Sequence, residues 1–406
     1  MIIVDSLFFL SVVILAVPLW VISIELLITF LYLGKLNQKS SKAYLDCPEI
    51  KYKILIPAHN ESEIIADTLL SLLNQGVLAE DIVVVADNCS DLTADMADEI
   101  GVTVLKRSDE LKRGKGYALQ FGIDYLKTQS ELDLDVVVVL DADCTLDKDS
   151  LGMLLEKCFK YNRPQQALYL MQNDISASLK RRVAGFAWFV KNKIRPFAVD
   201  KLNLPVILTG TGMAFPWDVI ANVQISDGNI VEDMQLGIDC TLMGSPPMFC
   251  AEAIVYSAFP EHEEAEMTQR IRWEHGHMLT IRTQVPQLFK QAFVRKDWRL
   301  LFLALDIGVP PLALLVLLSI SLLPAVVIYM ILSDGMLAFN ILLISFLLFS
   351  VMLVLIWSRF GREYLSSKEL FGIPRYIFSK LSVYSSFLFK RQTKWVRTSR
   401  KKKTDQ

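Results

Sequence analysis

The chain has 406 residues, 52% apolar and 21% charged, and its mean hydropathy of +0.37 is too high for an ordinary soluble enzyme. Lys plus Arg number 42 and Asp plus Glu 44, a formal charge of −2, which removes any general case for a nucleic-acid partner. Six cysteines (Cys47, Cys89, Cys144, Cys158, Cys240, Cys250) with no CxxC pair argue against a disulfide framework or zinc site and for reduced cytosolic thiols.

Residues 6–33 are almost wholly apolar, interrupted by Glu25, and exceed the ~20 residues a helix needs to cross ~30 Å of hydrocarbon. No Lys or Arg precedes this block and no small-residue cleavage site follows it, so a retained span is expected rather than a signal peptide. Lys35, Lys39 and Lys42 follow directly; by the positive-inside rule they face the cytosol and the N-terminus lies outside. Two further apolar blocks, 301–332 and 336–357, read as a membrane hairpin with Arg359, Arg362 and Lys368 on its cytosolic side. Three spans are therefore expected, the second kinked at Pro310 and Pro311. Residues 376–389 are apolar but short and contain Lys380, so they should lie along the interface. The run from Lys390 to Lys403 holds eight basic residues and no acidic one (Lys390, Arg391, Lys394, Arg397, Arg400, Lys401, Lys402, Lys403), a composition suited to anionic lipid. The expected organisation is a transmembrane helix (1–34), a cytosolic α/β domain (35–300), a transmembrane hairpin (301–358), then an interfacial segment with a basic cytosolic tail (359–406).

Inside the cytosolic block β-rich and helical patterns alternate: 53–59, 62–74, 81–87, 91–99, 102–107, 114–127, 135–143 and 148–160. Runs such as Ile82 to Val85 and Val136 to Leu140 are apolar on both faces, as in a mainly parallel sheet covered by helices on each side. Ligands of such sheets bind beyond the carboxyl ends of the strands. The polar clusters fall there: Pro57-Ala58-His59-Asn60-Glu61-Ser62, Asp87-Asn88-Cys89-Ser90-Asp91 and Asp141-Ala142-Asp143. Asp91 and Ser62 read equally well as helix-cap residues. Asp141 and Asp143 do not, because two carboxylates flanking one Ala at a buried strand end repel each other unless a divalent cation lies between them. No GxGxxG follows the first strand. Arg113-Gly114-Lys115-Gly116 lacks the remainder of a phosphate loop but brings a cation to a helix N-terminus. Farther on come Thr209-Gly210-Thr211-Gly212, then Glu232-Asp233, then Gln269-Arg270-Ile271-Arg272-Trp273. Taken singly, these are first-turn carboxylates and a solvated helix face with a buried aromatic.

In this order the motifs resemble the membrane-bound glycosyltransferase family 2 enzymes of GT-A fold, the superfamily of cellulose, chitin, hyaluronan and poly-N-acetylglucosamine synthases. The resemblance implies a Rossmann-like GT-A domain and an inverting hexosyltransferase that draws on a nucleotide sugar, with UDP the expected nucleotide. It assigns Ala58, His59, Glu61, Asp87, Lys115, Asp141, Gln269, Arg272 and Trp273 to the donor site, with Glu61 and Asp87 at the nucleoside. Asp141 and Asp143 match the DxD pair for Mg²⁺ or Mn²⁺, Asp143 making the more direct contact. Asp233 matches the catalytic base, with Glu232 beside it. Thr209, Gly210 and Trp273 fall where the acceptor is held. Many relatives carry paired aspartates where this chain has Ala86 and Asp87. Processive relatives line a channel with more than three spans, so the expectation is transfer of one sugar to a lipid-linked or glycan acceptor of bacterial exopolysaccharide biosynthesis. The site would be on the cytosolic side of the inner membrane. The alternatives are a processive β-glycan synthase whose channel comes from oligomerisation or a polysaccharide-export partner, and a catalytically silent nucleotide-sugar-binding subunit, which the intact Asp143, Asp233 and Arg272 set disfavours.

Leu179, Val183, Phe186, Val190, Ile194 and Phe197 recur at helical spacing among six basic residues. This amphipathic helix, near 178–197, could rest in the headgroup layer or pack on protein. Glu25 and Asp306 could line an acceptor groove, or be respectively protonated and drawn to interfacial water. His275 and His277, two positions apart, point to different helix faces and take no assigned role.

Overall fold

The computed structural model describes residues 2–32, 50–129, 133–172, 177–225, 231–260, 263–333 and 335–389. Lys35, Lys39, Lys42, Cys47, Asp334 and the basic run from Lys390 to Lys403 lie outside the described residues. In chain order the elements are α1 (Ile2–Tyr32), β1 (Tyr52–Ala58), α2 (Ile65–Leu73), β2 (Ile82–Asp87), α3 (Thr93–Glu99), β3 (Thr103–Arg107), α4 (Lys115–Thr128), β4 (Val136–Val139), β5 (Thr145–Leu146), α5 (Ser150–Tyr161) and β6 (Gln165–Met171). There follow α6 (Leu179–Phe189), a π-helical turn (Val190–Ile194), α7 (Arg195–Lys201), β7 (Met213–Pro216), α8 (Trp217–Ile220), α9 (Glu232–Leu242), β8 (Met248–Ser257), α10 (Glu263–Arg295), α11 (Trp298–Ile307), α12 (Leu312–Ser333), α13 (Met336–Ile356), α14 (Ile373–Ser379) and α15 (Leu381–Phe389). They form two compact units.

One unit holds the sheet, with α2 to α5, α8, α9 and α10 as far as Gly276. Among the described residues eight strands make one mixed sheet in the order β3-β2-β1-β4-β7-β6-β8-β5. The β3-β2-β1-β4 half is parallel; β7 runs antiparallel to both β4 and β6, β6 is parallel to β8 and β5 antiparallel to it. Burial on both faces explains why β4 is apolar throughout and β2 as far as Ala86. Val137 and Val139 share a face with Leu55, Val83 and Val85 and pack on α4 and α9 through Ala118, Leu119, Ile123, Leu236 and Cys240. Ile54, Ile56, Val136 and Val138 point the other way and are just as buried. Each such side chain contributes about 1.5–3 kcal/mol on burial. The consequence for function lies in the register: Val139 pairs with Met213, so the chain entering β7 passes beside the residues leaving β4.

The other unit holds α1, α6, α7, α10 from His277 onward and α11 to α15. Among the described residues three helices are long and apolar enough to cross a membrane, Phe8–Tyr32, Leu312–Ser333 and Met336–Gly361. The apolar block at 301–332 is not one kinked helix. Pro310 and Pro311 separate α11 from α12, and the Pro311 carbonyl accepts the Leu315 N–H of the new helix, 3.0 Å, the place where proline is best tolerated.

Glu25 and Asp306 do not stand open to a groove. Arg195 Nε donates to Glu25 Oε2 at 2.6 Å, and its Nη2 donates to the Asp306 carbonyl at 3.0 Å and to the Asp306 carboxylate. All three residues are buried, which joins α1, α7 and α11. Thr29 donates to the Ile194 carbonyl at 2.6 Å, satisfying a backbone acceptor at the π-helical turn, where the helical ladder changes register. The apolar stripe of α6 is likewise covered by protein. Phe186 and Phe189 are buried, with ring centroids 6.3 and 5.2 Å from Tyr364, so neither offers a free face to lipid. A His277 ring nitrogen lies 2.9 Å from the Ile307 carbonyl; burial, with Lys191 and Arg195 nearby, pushes its pKa down to about 3 and keeps it neutral.

Candidate active site

Two groups of side chains occupy the carboxyl edge of the parallel half-sheet. The first links the ends of β1 and β2. Asn60 and Asn88 take left-handed conformations, φ 56° and 52°, a region that asparagine tolerates better than most residues. They turn the chain sharply so that the two loops stitch together. The His59 Nδ1 lies 2.6 Å from the Asp87 carbonyl, Asn60 Oδ1 accepts the Ser90 N–H at 2.7 Å, and the Glu61 N–H donates to Thr93 Oγ1 at 2.8 Å. Asp91 accepts from Ser62 N and Thr93 N, which ties the two loops together, while the N-cap residues of α2 and α3, Ile64 and Leu92, make no side-chain cap bond. Asp87 is buried and pairs with Arg107 at 2.5 Å. Arg107 lies 5.6 Å from the Tyr117 ring centroid, a cation–π distance. Arg107 was not among the expected site residues; its position as the last residue of a parallel strand is the signal that marks it.

The second group gathers residues from four distant segments. Lys115 opens α4, pairs with the Asp141 carboxylate and donates to the Gly210 carbonyl at 2.7 Å. Asp233 is in the first turn of α9, where its Oδ1 accepts the Met234 N–H at 2.8 Å. Gly210 has φ +93°, and a Cβ built on it would lie 3.2 Å from Asp233 Oδ2 and 3.4 Å from Lys115 Nζ. The Asp141 N–H donates to Thr211 Oγ1 at 3.0 Å. Ligand atoms of Asp141, Asp143 and Cys144 lie within 4.8 Å of one another.

The electrostatics follow from this crowding. Burial, reinforced by Asp143 and Asp233, raises the Asp141 carboxyl against the opposing pull of Lys115. Burial and Asp233 push Glu232 up to about 7, countered by Lys115 and Arg272. Lys115 rises instead, because Asp141, Glu232 and Asp233 outweigh its desolvation. Four carboxyl groups thus face two cationic ones, an imbalance that suits a divalent cation with oxygen ligands.

Arg272 therefore joins this second group through Glu232. Gln269 and Trp273 are half-buried on the same helix, α10. His59, Glu61 and Asp87 belong to the first group, and Thr209 enters the second through the loop that carries Gly210. Gln166 was missed from sequence: buried on β6, it accepts the Thr209 N–H at 2.8 Å and donates to the Thr211 carbonyl at 3.0 Å.

Residues 48–276, more than half of the chain and nearly all of the sheet-bearing unit, match the family described as glycosyltransferase-like family 2. The chain belongs to this glycosyltransferase family. Among curated relatives, this family member is 26% identical over 256 residues to a probable glycosyltransferase, YdaM, of Bacillus subtilis, covering 59% of this chain and 58% of that one. It is 25% identical over 249 residues to a poly-β-1,6-N-acetyl-D-glucosamine synthase of Staphylococcus epidermidis, covering 58% and 56%. The chain thus spans little more than half the length of these relatives. A mannosyltransferase from Pyrobaculum calidifontis, solved with GDP-mannose and Mn²⁺, superposes with TM-score 0.51 at 14% identity, covering 95% of this chain and 100% of that one. At that identity the likeness speaks to fold, and it is the GT-A fold.

Proposed function

We propose that this glycosyltransferase is an inverting, metal-dependent hexosyltransferase that moves a sugar from a nucleotide sugar, UDP the expected nucleotide, to a lipid-linked or glycan acceptor held at the membrane. The observation that carries the reading is the convergence of Lys115, Asp141 and Asp233 on Gly210. In this reading Asp233 takes the acceptor hydroxyl's proton, the acceptor oxygen forms its bond to the anomeric carbon from the face opposite the leaving group, and the bond from that carbon to the diphosphate breaks. A positioned base of this kind contributes about 10²–10⁴-fold. Arg272 offers a forked donor to phosphate oxygens, and Lys115 adds a second cation. Asp141 and Asp143 supply the hard oxygen ligands that Mg²⁺ or Mn²⁺ prefers, and such an ion, when bound, adds positive charge against the departing diphosphate.

The three long apolar helices, Phe8–Tyr32, Leu312–Ser333 and Met336–Gly361, support attachment to the cell membrane; in this reading the 35–300 block works in the cytosol, by the positive-inside rule. The test is a screen of radiolabelled UDP- and GDP-sugars against bacterial membrane extracts. Label should enter a lipid or glycan product with the wild-type protein and not with Asp233→Asn. Absence of any transfer or nucleoside diphosphate release with every donor would remove the reading.

The poly-β-1,6-N-acetyl-D-glucosamine synthase relatives favour a second reading, processive β-glycan synthesis through an oligomeric or partner-made channel. Product length from purified protein separates the two: one added sugar for the first, a ladder for the second.

A further inference from the structure

The loop at 209–212 must stay fixed without a strand ladder to hold it. The β6–β7 ladder is two pairs long, Gln165 with Ala214 and Gln166 with Met213, and the Ala167 N–H reaches one residue further, to the Gly212 carbonyl at 2.8 Å. Beyond that point the backbone polar groups of Thr209 and Thr211 are turned into the protein, where each needs a partner. One side chain serves both. Gln166, 1% exposed, accepts the Thr209 N–H at 2.8 Å and donates to the Thr211 carbonyl at 3.0 Å.

Between these two bonds stands Gly210, whose carbonyl receives Lys115 and whose Cα faces Asp233. On the other side of the loop, Thr211 Oγ1 accepts the Asp141 N–H at 3.0 Å. The loop is thus gripped from β6 by Gln166, from the segment just beyond β4 by Asp141 and from α4 by Lys115. The close approach on the β6 side also needs Gly212 (φ +63°), since a Cβ there would meet Val255 Cγ2 at 2.5 Å and Ala167 Cβ at 2.9 Å.

We propose that Gln166 is a positioning residue for transfer: by clamping the backbone of Thr209 and Thr211 it sets Gly210 between Lys115 and Asp233, and so fixes where the acceptor hydroxyl meets its base. The proposal rests on the proposed role of Asp233, deepens it, and assigns Gln166 no contact with substrate. A misplacement of about 1 Å at a reacting centre lowers the rate by about 10²-fold, which is the size of effect a loosened clamp should have. Donor affinity should change far less than transfer, because Gln166 touches none of the groups assigned to the nucleoside and reaches Lys115 and Asp141 only through the loop.

The experiment compares the full-length wild type with Gln166→Glu, which keeps one acceptor but sets a second oxygen against the Thr211 and Ala167 carbonyls, and with Gln166→Met, which removes both bonds to the loop, and the one to the Ala167 carbonyl at 2.9 Å, at similar volume. Three readouts are taken: transfer kcat and acceptor KM, binding of Mn²⁺ with UDP by calorimetry, and hydrogen exchange of peptides covering 204–216. The expected result is transfer lowered about 10²-fold in both variants, Mn²⁺ and UDP affinity within about twofold of wild type, and faster exchange confined to the 209–211 segment. Transfer within about twofold of wild type overturns the proposal. So does a loss of UDP affinity in step with the loss of transfer, or failure of both variants to fold, since either makes Gln166 a general structural residue. Retained transfer by Asp233→Asn would instead remove the base assignment while leaving the exchange result on the loop standing, so the two failures are distinguishable.

Discussion

Asp233 Oδ2 stands over the Cα of Gly210, so close that a Cβ on that glycine would come within 3.2 Å of it. The glycine also holds φ +93°, a conformation costly to other residues. Its hydrogen in place of a methyl leaves the carboxylate approachable from the loop side, while its carbonyl keeps Lys115 beside the same carboxylate.

Gly210→Ala should therefore damage chemistry more than folding. The backbone strain is of order 1–3 kcal/mol, and displacement of Asp233 should lower transfer by about 10²-fold. Paired measurements of the melting curve and of the transfer rate check this. An alanine variant that folds and transfers like wild type would show that the space over Gly210 is not used.

Glu232 gives the site a pH signature. Its carboxyl is pushed up to about 7 by burial and by Asp233, so between its ordinary value and about 7 the folded chain holds a proton that the unfolded chain has lost. In that window stability falls as pH rises. Glu232→Gln should abolish this slope: urea or thermal unfolding followed from pH 5 to pH 8 should show wild type losing stability relative to the variant. Parallel curves would mean that Glu232 is ionised throughout.

Much of this is legible in the residues alone. The strands through Ile82 and Val136 lie where their two-faced apolar pattern puts them; Asp141 and Asp233 stand near each other, and Arg272 acts on Glu232 beside them. What escaped has a common physical cause. Glu25 and Arg195 are 170 positions apart, and Gln166 serves a loop 43 to 45 positions downstream; no local periodicity records such pairings. The stripe carrying Phe186 and Phe189 has the same spacing whether lipid or Tyr364 covers it, so sequence leaves the choice open. Pro310 and Pro311 mark a break, but whether a helix bends or ends there depends on the neighbours that pack on each side.

The Glu25–Arg195–Asp306 cluster predicts a strong asymmetry. Removing Arg195 alone leaves two buried carboxylates without their cation, which should cost about 3–5 kcal/mol. Replacing all three together, Glu25→Gln, Arg195→Met and Asp306→Asn, should recover most of that loss. Thermal unfolding in detergent measures both. Equal melting temperatures for wild type and Arg195→Met would show that the pairing is not needed to hold α1, α7 and α11 together.

Metal dependence should follow Asp143. Chelation should abolish transfer, and added Mn²⁺ should restore it. Asp143→Asn should weaken Mn²⁺ binding by at least about 10-fold in a titration followed by electron paramagnetic resonance. Unchanged Mn²⁺ affinity would exclude Asp143 as a ligand.

The most direct measurement is transfer by Asp233→Asn, an isosteric change that keeps an oxygen near the Met234 N–H while removing the basic carboxylate. With Mn²⁺ and UDP affinity measured on the same preparation, the proposed role predicts transfer lowered by about 10²–10⁴-fold and binding unchanged. Transfer at the wild-type rate would contradict it.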